Sequence, residues 1–190
     1  MLTGAILTQN TSWKNVETAI AVLRQSKLLS AAALATTEET ALQPLIRSAG
    51  FFRQKARHLH FLAQVIVQQY GGDAAALLQG ELPVVRKRLL ALPGIGEETA
   101  DSMLLYGGGH ATFVIDSYTR RILTRSGWSC MDKPYKQVQQ YFMDNLPADA
   151  ALYNEYHALI VRLAKDYCRS RNPVCSDCLL ASVCVFAQKG

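Results

Sequence analysis

The stretch LPGIGEETADSMLLYGGGHATFVIDSYTRRIL, residues 92–123, decides how the rest of the chain is read. Leu92-Pro93-Gly94-Ile95-Gly96 separates two segments of helical pattern. Its glycines permit a tight turn with backbone amides exposed where the next helix begins. Such amides, with the helix dipole behind them, hold a phosphate without reading base sequence. Taken alone, a Pro-Gly-x-Gly turn is more often an ordinary helix connection. The residues after it add weight: a helix predicted over 97–106, a triple glycine at 107–109, a short apolar entry at 112–115, and Asp116 opening a helix that reaches about Arg125. An Asp at a helix N-terminus is kept ionised by the dipole and nearby amides, although most such residues are only caps.

Working outward, the apolar period is helical almost everywhere. Leu59, Leu62, Ala63 and Ile66 follow the i, i+3, i+4, i+7 rule and predict a helix over about 54–70, ended by Gly71-Gly72. Ser12 is placed to cap a helix to about Arg24, with Val16, Ile20, Val22 and Leu23 on or near its inner side. Thr36 followed by Glu39 has the form of a capping box for a short helix stopping at Gly50. Further helices are predicted over 86–90, 135–145 and 151–166, and no run alternates as a strand does. The expected fold class is all-α. The expected division is 1–109, a helical bundle with a hairpin at about 86–107, and 110–190, carrying Asp116 and a cysteine-rich appendix.

Composition narrows the field without naming a function. With 190 residues, 49% hydrophobic and 18% charged, the chain can bury a sizeable core and is not a disordered tail. No stretch is long and apolar enough for a membrane helix, and the first ten residues lack the form of a secretory signal. Twenty Lys plus Arg against fifteen Asp plus Glu leave +5, enough for a local anion-facing surface.

The five cysteines are unevenly placed. Cys168, Cys175, Cys178 and Cys184 are spaced C-x6-C-x2-C-x5-C, and Cys130 stands apart as a bystander. Such crowding in a chain without a signal points to a metal centre in a reducing compartment rather than to a disulfide framework. On chemistry alone, four thiolates suit zinc or a 4Fe–4S cluster.

Residues 92–123, GAILTQNTSWKNVETAI at 4–20 and GFFRQKARHL at 50–59 together resemble the endonuclease III, or helix-hairpin-helix, superfamily of DNA glycosylases, in the same order and over essentially the whole chain. The resemblance implies a two-lobed helix-hairpin-helix glycosylase fold with an active-site cleft between the lobes. It also implies a C-terminal iron–sulfur loop, and therefore a 4Fe–4S cluster on the four clustered cysteines. It makes Asp116 the catalytic carboxylate of base excision repair, stabilising positive charge on the sugar and orienting or deprotonating water. Gln9 and Asn10 fall where the family fills the duplex or contacts the extruded nucleotide, and Phe51 where a wedge enters the stack. Arg53, Lys55, Arg169 and Arg171 are candidate phosphate contacts, alongside the hairpin residues Gly94, Ile95 and Gly96. Trp13, Phe52 and Tyr118 are candidate base-pocket aromatics; core packing is the plainer reading of Trp13, Phe51 and Phe52. His157 matches a family histidine and reads as a core or interface residue. The resemblance further implies damaged double-stranded DNA as partner, monomeric action, a downstream AP endonuclease and a cytoplasmic location, nucleoid-associated in a prokaryote. Family members usually carry roughly a further helix before the segment that here begins at Met1.

Two departures refine the expectation. Bifunctional members carry a lysine two residues after the second hairpin glycine, where its amine forms a Schiff base with the sugar. Here that position is Glu98, and no lysine occurs between Lys87 and Lys133. A carboxylate forms no imine, so water is the expected nucleophile, with Glu98 retained as a catalytic candidate beside Asp116. Glu98 within this segment, together with LTQNTSWKNVE and a Tyr two residues after Asp116, resembles the 3-methyladenine branch, whose alkylated purines already carry positive charge. The alternatives are an oxidised-pyrimidine glycosylase with AP-lyase activity and a non-catalytic iron–sulfur DNA-binding protein. Glu97, Glu98 and Asp101 place three acids at the amide end of the hairpin helix, where they are expected to repel a phosphate.

Overall fold

The computed structural model describes residues 1–128 and 132–189, and among these it contains helices and no strand. The chain divides into two compact units, Met1–Gly108 and Gly109–Gly190. Cys130 lies outside the described residues. Among the described residues no helix is long and apolar enough to cross a membrane.

The first unit contains α1 (Leu2–Thr8), α2 (Trp13–Gln25), α3 (Ala31–Thr36), α4 (Glu39–Leu45), α5 (Phe52–Tyr70), α6 (Leu82–Leu90) and α7 (Glu97–Gly108). α5 is its axis: Leu59, Leu62, Ala63 and Ile66 are buried, and α1, α3 and α4 pack on it. Gly71, with φ +61°, ends it in the left-handed region that glycine enters most easily. Ser12 caps α2, its hydroxyl accepting from the Asn15 N–H at 3.4 Å.

The capping box at Thr36 and Glu39 does not form. Thr36 is instead the last residue of α3, and its hydroxyl turns back to the carbonyl of Ala32 at 3.0 Å. A hydroxyl bonded one turn back is lost to the next helix, and α4 starts without a side-chain cap. The cap used is Ser30, which accepts from Ala33 N–H at 3.2 Å and opens the short α3.

Lys55 requires a second correction. It is 2% exposed, and its ammonium donates to the carbonyls of Leu7 (2.9 Å), Gln9 (2.7 Å) and Ala49 (2.9 Å). All three of its donors are thereby used, and burial pushes its pKa down. Lys55 is not a phosphate contact. It is a cation at the C-terminal end of α1, where carbonyls left over from the helix need donors, and it ties that end to the turn before α5.

The second unit contains α8 (Ser117–Arg125), α9 (Tyr135–Asn145), α10 (Ala150–Asp166) and α11 (Val185–Gln188). α8 packs against α10. Phe113, fully buried, stacks on Phe142 with centroids 4.1 Å apart and meets Tyr153 edge-on at 5.4 Å. These rings form the core on which the approach to Asp116 rests.

Replacing Lys55 by Met keeps the stem and removes the three charge-assisted bonds. We expect it to cost about 3 kcal/mol, read as a lower urea midpoint at unchanged slope. The exposed Arg53→Ala stays within about 0.5 kcal/mol.

Candidate active site

Asp116 lies at the N-cap of α8 in extended conformation, and its position follows from that role. One carboxylate oxygen, Oδ1, accepts from the Thr119 N–H at 2.7 Å and from the Thr119 hydroxyl at 2.8 Å. The other, Oδ2, lies 3.5 Å from Nε2 of His157 on α10. That is ion-pair range, looser than a well-formed hydrogen bond. The residue is only 9% exposed. Burial by itself raises the carboxyl pKa; the His157 contact and the two Thr119 bonds outweigh it and leave the net value below the ordinary one. The result is a buried carboxylate that is charged at neutral pH.

The hairpin between α6 and α7 is shaped by Gly94, with φ +76°. A Cβ there would also collide with the ring of His58 from α5, so the imidazole occupies the space a side chain would need. Nδ1 of His58 is buried without a hydrogen-bond partner, and burial, aided by Arg57, pushes the His58 pKa down. On the other side, Gln9 donates to the Gly94 carbonyl at 2.8 Å and to the Thr99 hydroxyl at 2.9 Å. The turn is thus held from two sides, and Gln9 is engaged with it. The Ile95 N–H is already spent on the Leu92 carbonyl at 3.2 Å, and its side chain is buried. Among the described residues the amides of Gly94 and Gly96 have no protein acceptor, which makes the turn receptive to an anion.

The three acids are not the expected repulsive cluster. Asp101 is fully buried and takes a two-pronged contact from Arg86 of α6, Nε to Oδ1 at 2.8 Å and Nη2 to Oδ2 at 3.0 Å. Nη2 also donates to Glu97 at 3.3 Å. The Asp101 bond, followed by the fields of both acids, raises the Arg86 pKa in spite of burial. One guanidinium therefore faces two of the acids and ties the hairpin helices together; Glu98 is exposed.

Of the remaining first-unit residues, Asn10, Trp13, Phe51 and Arg53 are exposed and Phe52 is half-buried. Asn10 and Phe51 are both exposed and both hold positive φ, 52° and 46°. For a bulky residue such as Phe51 this conformation costs about 1–3 kcal/mol and needs a reason. Trp13 is 47% and Phe51 66% exposed. Phe52 is half-buried against the core, with the guanidiniums of Arg47 and Arg53 at 5.9 and 6.0 Å from its ring centroid. In the second unit Tyr118 is half-buried with Arg121 over its ring at 5.1 Å. Arg169 and Arg171 are exposed.

Residues 3–148 match the family described as HhH-GPD superfamily base excision DNA repair protein. The chain belongs to that superfamily. It is 41% identical over 186 residues to "Putative DNA repair glycosylase MJ1434" of Methanocaldococcus jannaschii, covering 97% of this chain and 84% of the relative. A solved endonuclease III–DNA complex superposes with a TM-score of 0.84 at 23% identity, covering 99% of this chain and 83% of that one, which establishes the shared fold. The Helicobacter pylori 3-methyladenine DNA glycosylase bound to 1,N6-ethenoadenine is 27% identical with a TM-score of 0.76, over 86% of this chain and 83% of that one.

In this HhH-GPD chain the four clustered cysteines are half-buried free thiols in the segment following α10. Arg125 brings the first and last together. Its Nη1 donates to Cys168 Sγ at 3.3 Å, and the Cys184 thiol donates to its carbonyl at 3.4 Å. Among the described residues no three Cys, His, Asp or Glu side chains converge within metal-holding reach. The donor set, four thiols beside a guanidinium, fits an iron–sulfur group by its chemistry. Arg121, one turn earlier on α8, donates to the carbonyls of Cys168 at 2.8 Å and Ala164 at 3.3 Å, fixing where the cysteine segment leaves α10.

His157 beside Asp116 and Arg86 beside Asp101 carry roles that spacing does not reveal. Arg86→Met leaves the buried Asp101 carboxylate unpaired and is expected to destabilise the fold by about 3–5 kcal/mol, measured by urea denaturation. Adding Asp101→Leu removes the stranded charge and is expected to recover most of that loss.

Proposed function

We propose that this chain is a monofunctional DNA glycosylase that hydrolyses the N-glycosidic bond of a damaged base in duplex DNA, with alkylated purines such as 3-methyladenine as its substrate class. The observation that carries the reading is Asp116: buried, held ionised by Thr119 and His157, and fixed at a helix start. Departure of the base leaves oxocarbenium-like positive charge on the sugar. A carboxylate that is already charged and already oriented stabilises that charge without reorganising. It also accepts the proton of an attacking water.

Glu98 stands where an amine would be needed for a covalent sugar intermediate. Lys55, a lysine with a lowered pKa, has all its donors committed to carbonyls. Both support water as the nucleophile. A cationic alkylated purine leaves without prior protonation, so a site built around one carboxylate suffices, and exposed aromatics such as Trp13 attract such a base. The amides of Gly94 and Gly96 with Arg53, Arg169 and Arg171 are the proposed phosphate contacts, and Asn10 and Phe51 the residues that enter the opened stack. Cys168, Cys175, Cys178 and Cys184 are the proposed ligands of a 4Fe–4S cluster. When bound, that cluster supplies a rigid cross-link of the loop bearing Arg169 and Arg171. The protein is proposed to act as a cytoplasmic monomer, leaving an abasic site for a separate AP endonuclease.

The test is incubation with duplexes carrying either an alkylated purine or thymine glycol, with borohydride present. The expected result is free alkylated base and no trapped adduct; a borohydride-trapped covalent complex would replace this reading with a lyase. Asp116→Asn is expected to abolish release while duplex binding stays within a few-fold. Because the folded pKa of Asp116 is depressed, its carboxylate remains charged well into acid. The rate should hold from neutrality past about pH 5 and fall only as pH drops through that lowered value. The stability that Asp116 contributes is lost over the same window.

Aerobically purified protein is expected to be coloured, with iron and acid-labile sulfide in equal amounts. Zinc in their place would contradict the cluster assignment.

A further inference from the structure

The residues leading into Asp116 pose a problem of backbone satisfaction. Residues 112–116 lie outside any helix and are all buried, and there is no strand beside them among the described residues. Buried peptide groups must nevertheless find partners. The Thr112 N–H turns back to the His110 carbonyl at 2.8 Å, and two further groups find side chains from one helix. Gln139 of α9 is 6% exposed, and its amide nitrogen donates to the Phe113 carbonyl at 2.7 Å and to the Thr112 hydroxyl at 3.1 Å. One turn earlier on α9, the Tyr135 hydroxyl accepts from the Ile115 N–H at 3.3 Å, immediately before Asp116. Three residues beyond Gln139 on the same helix, Phe142 stacks on Phe113.

The polar partners of Asp116 are Thr119 and His157, while α9 grips the strap at Phe113 and at Ile115. We infer that Gln139, assisted by Tyr135, is a positioning residue for the Asp116 carboxylate: it fixes the strap from which Asp116 enters α8. The tolerance is small. Oδ1 must stay within hydrogen-bond reach of two Thr119 donors while Oδ2 stays at 3.5 Å from His157. A strap released at Phe113 can tilt the carboxylate out of both contacts, and displacements of about 1 Å at a reacting group cost orders of magnitude in rate.

Two readouts separate positioning from mere stability. The kinetic one rests on the glycosylase reading; the second, titration of the Asp116 carboxyl followed by carbon NMR in the intact protein, does not. His157 is the titratable side chain whose charge acts on that carboxyl, with Thr119 as its hydrogen-bond donor. Gln139→Met, close in volume but lacking the donor, is expected to raise the Asp116 pKa toward the ordinary value. It should slow single-turnover base release at least tenfold while lesion-duplex affinity stays within twofold. Tyr135→Phe, which removes the hydroxyl that accepts from the Ile115 N–H, should move both readouts the same way by less, and serves if Gln139→Met does not fold. Phe142→Leu loosens the same helix without touching either bond and should leave the Asp116 titration in place. An unchanged titration in both Gln139→Met and Tyr135→Phe, or the same shift in Phe142→Leu, overturns the inference. Absence of base release by the unaltered protein overturns the glycosylase reading alone, because the titration still decides the role of Gln139.

Discussion

The second unit depends on keeping one carboxylate charged where water scarcely reaches it. Desolvation of Asp116 works against ionisation, and an isolated buried charge is among the most expensive features a fold can contain. Its compensation comes from three elements: the first turn of α8 through Thr119, α10 through His157, and the strap that sets the angle of entry. Thr119 and His157 offset the desolvation, because the Thr119 bonds satisfy one oxygen and His157 faces the other, while the strap sets direction. The same arrangement that stabilises the charge also fixes its direction, which is the property an electrostatic catalyst needs.

The first unit solves a related problem twice. Lys55 takes three carbonyls at the end of α1 and the turn before α5, so a cation is buried on backbone carbonyls. Arg86 does the converse, entering between α6 and α7 to hold a buried Asp101 and a half-buried Glu97. Both charges lie close to the hairpin: Lys55 fixes Gln9, and Gln9 in turn holds the Gly94 carbonyl. The turn geometry is therefore set by side-chain polar bonds as well as by the glycines that permit it. Its electrostatics follow suit, since two of three acids near the free amides are matched by a cation.

Periodicity was sufficient for the long elements. The 3.6-residue pattern marks α5, and Ser12 and Asp116 announce the starts of α2 and α8, because caps and apolar faces are local properties. The short elements were less legible. α1 and α3 are too brief to show a period, and Thr36 could bond forward or backward with equal local chemistry. The sign of a side chain was legible but not its direction. Lys55 next to Arg53 looks like half of a basic patch, yet α5 turns one outward and the other into the core. Likewise the acids at 97, 98 and 101 look repulsive until Arg86, on the preceding helix, is placed among them. Cysteine spacing named the proposed ligands, whereas the residue that brings Cys168 and Cys184 together, Arg125, carried no mark beyond its i+4 relation to Arg121.

Glu98 gives these details their weight. An enzyme that attacks with an amine keeps part of its catalytic power in the nucleophile, and a carboxylate nearby has a supporting role. On the proposed reading, with water as nucleophile, no covalent intermediate shares the load, and charge stabilisation and water orientation both fall to Asp116. Its ionisation state and its angle then become separate requirements, met by different residues. Thr119 and His157 hold the charge, while Gln139 and Tyr135 hold the strap. A site of this kind has few catalytic residues and many positioning ones, so substitutions in the Phe113–Phe142 layer should reach the chemistry only through the strap bonds. A ladder would fix residues 112–115 along their whole length, whereas two side-chain anchors fix the strap at Phe113 and at Ile115, next to the cap formed by Asp116.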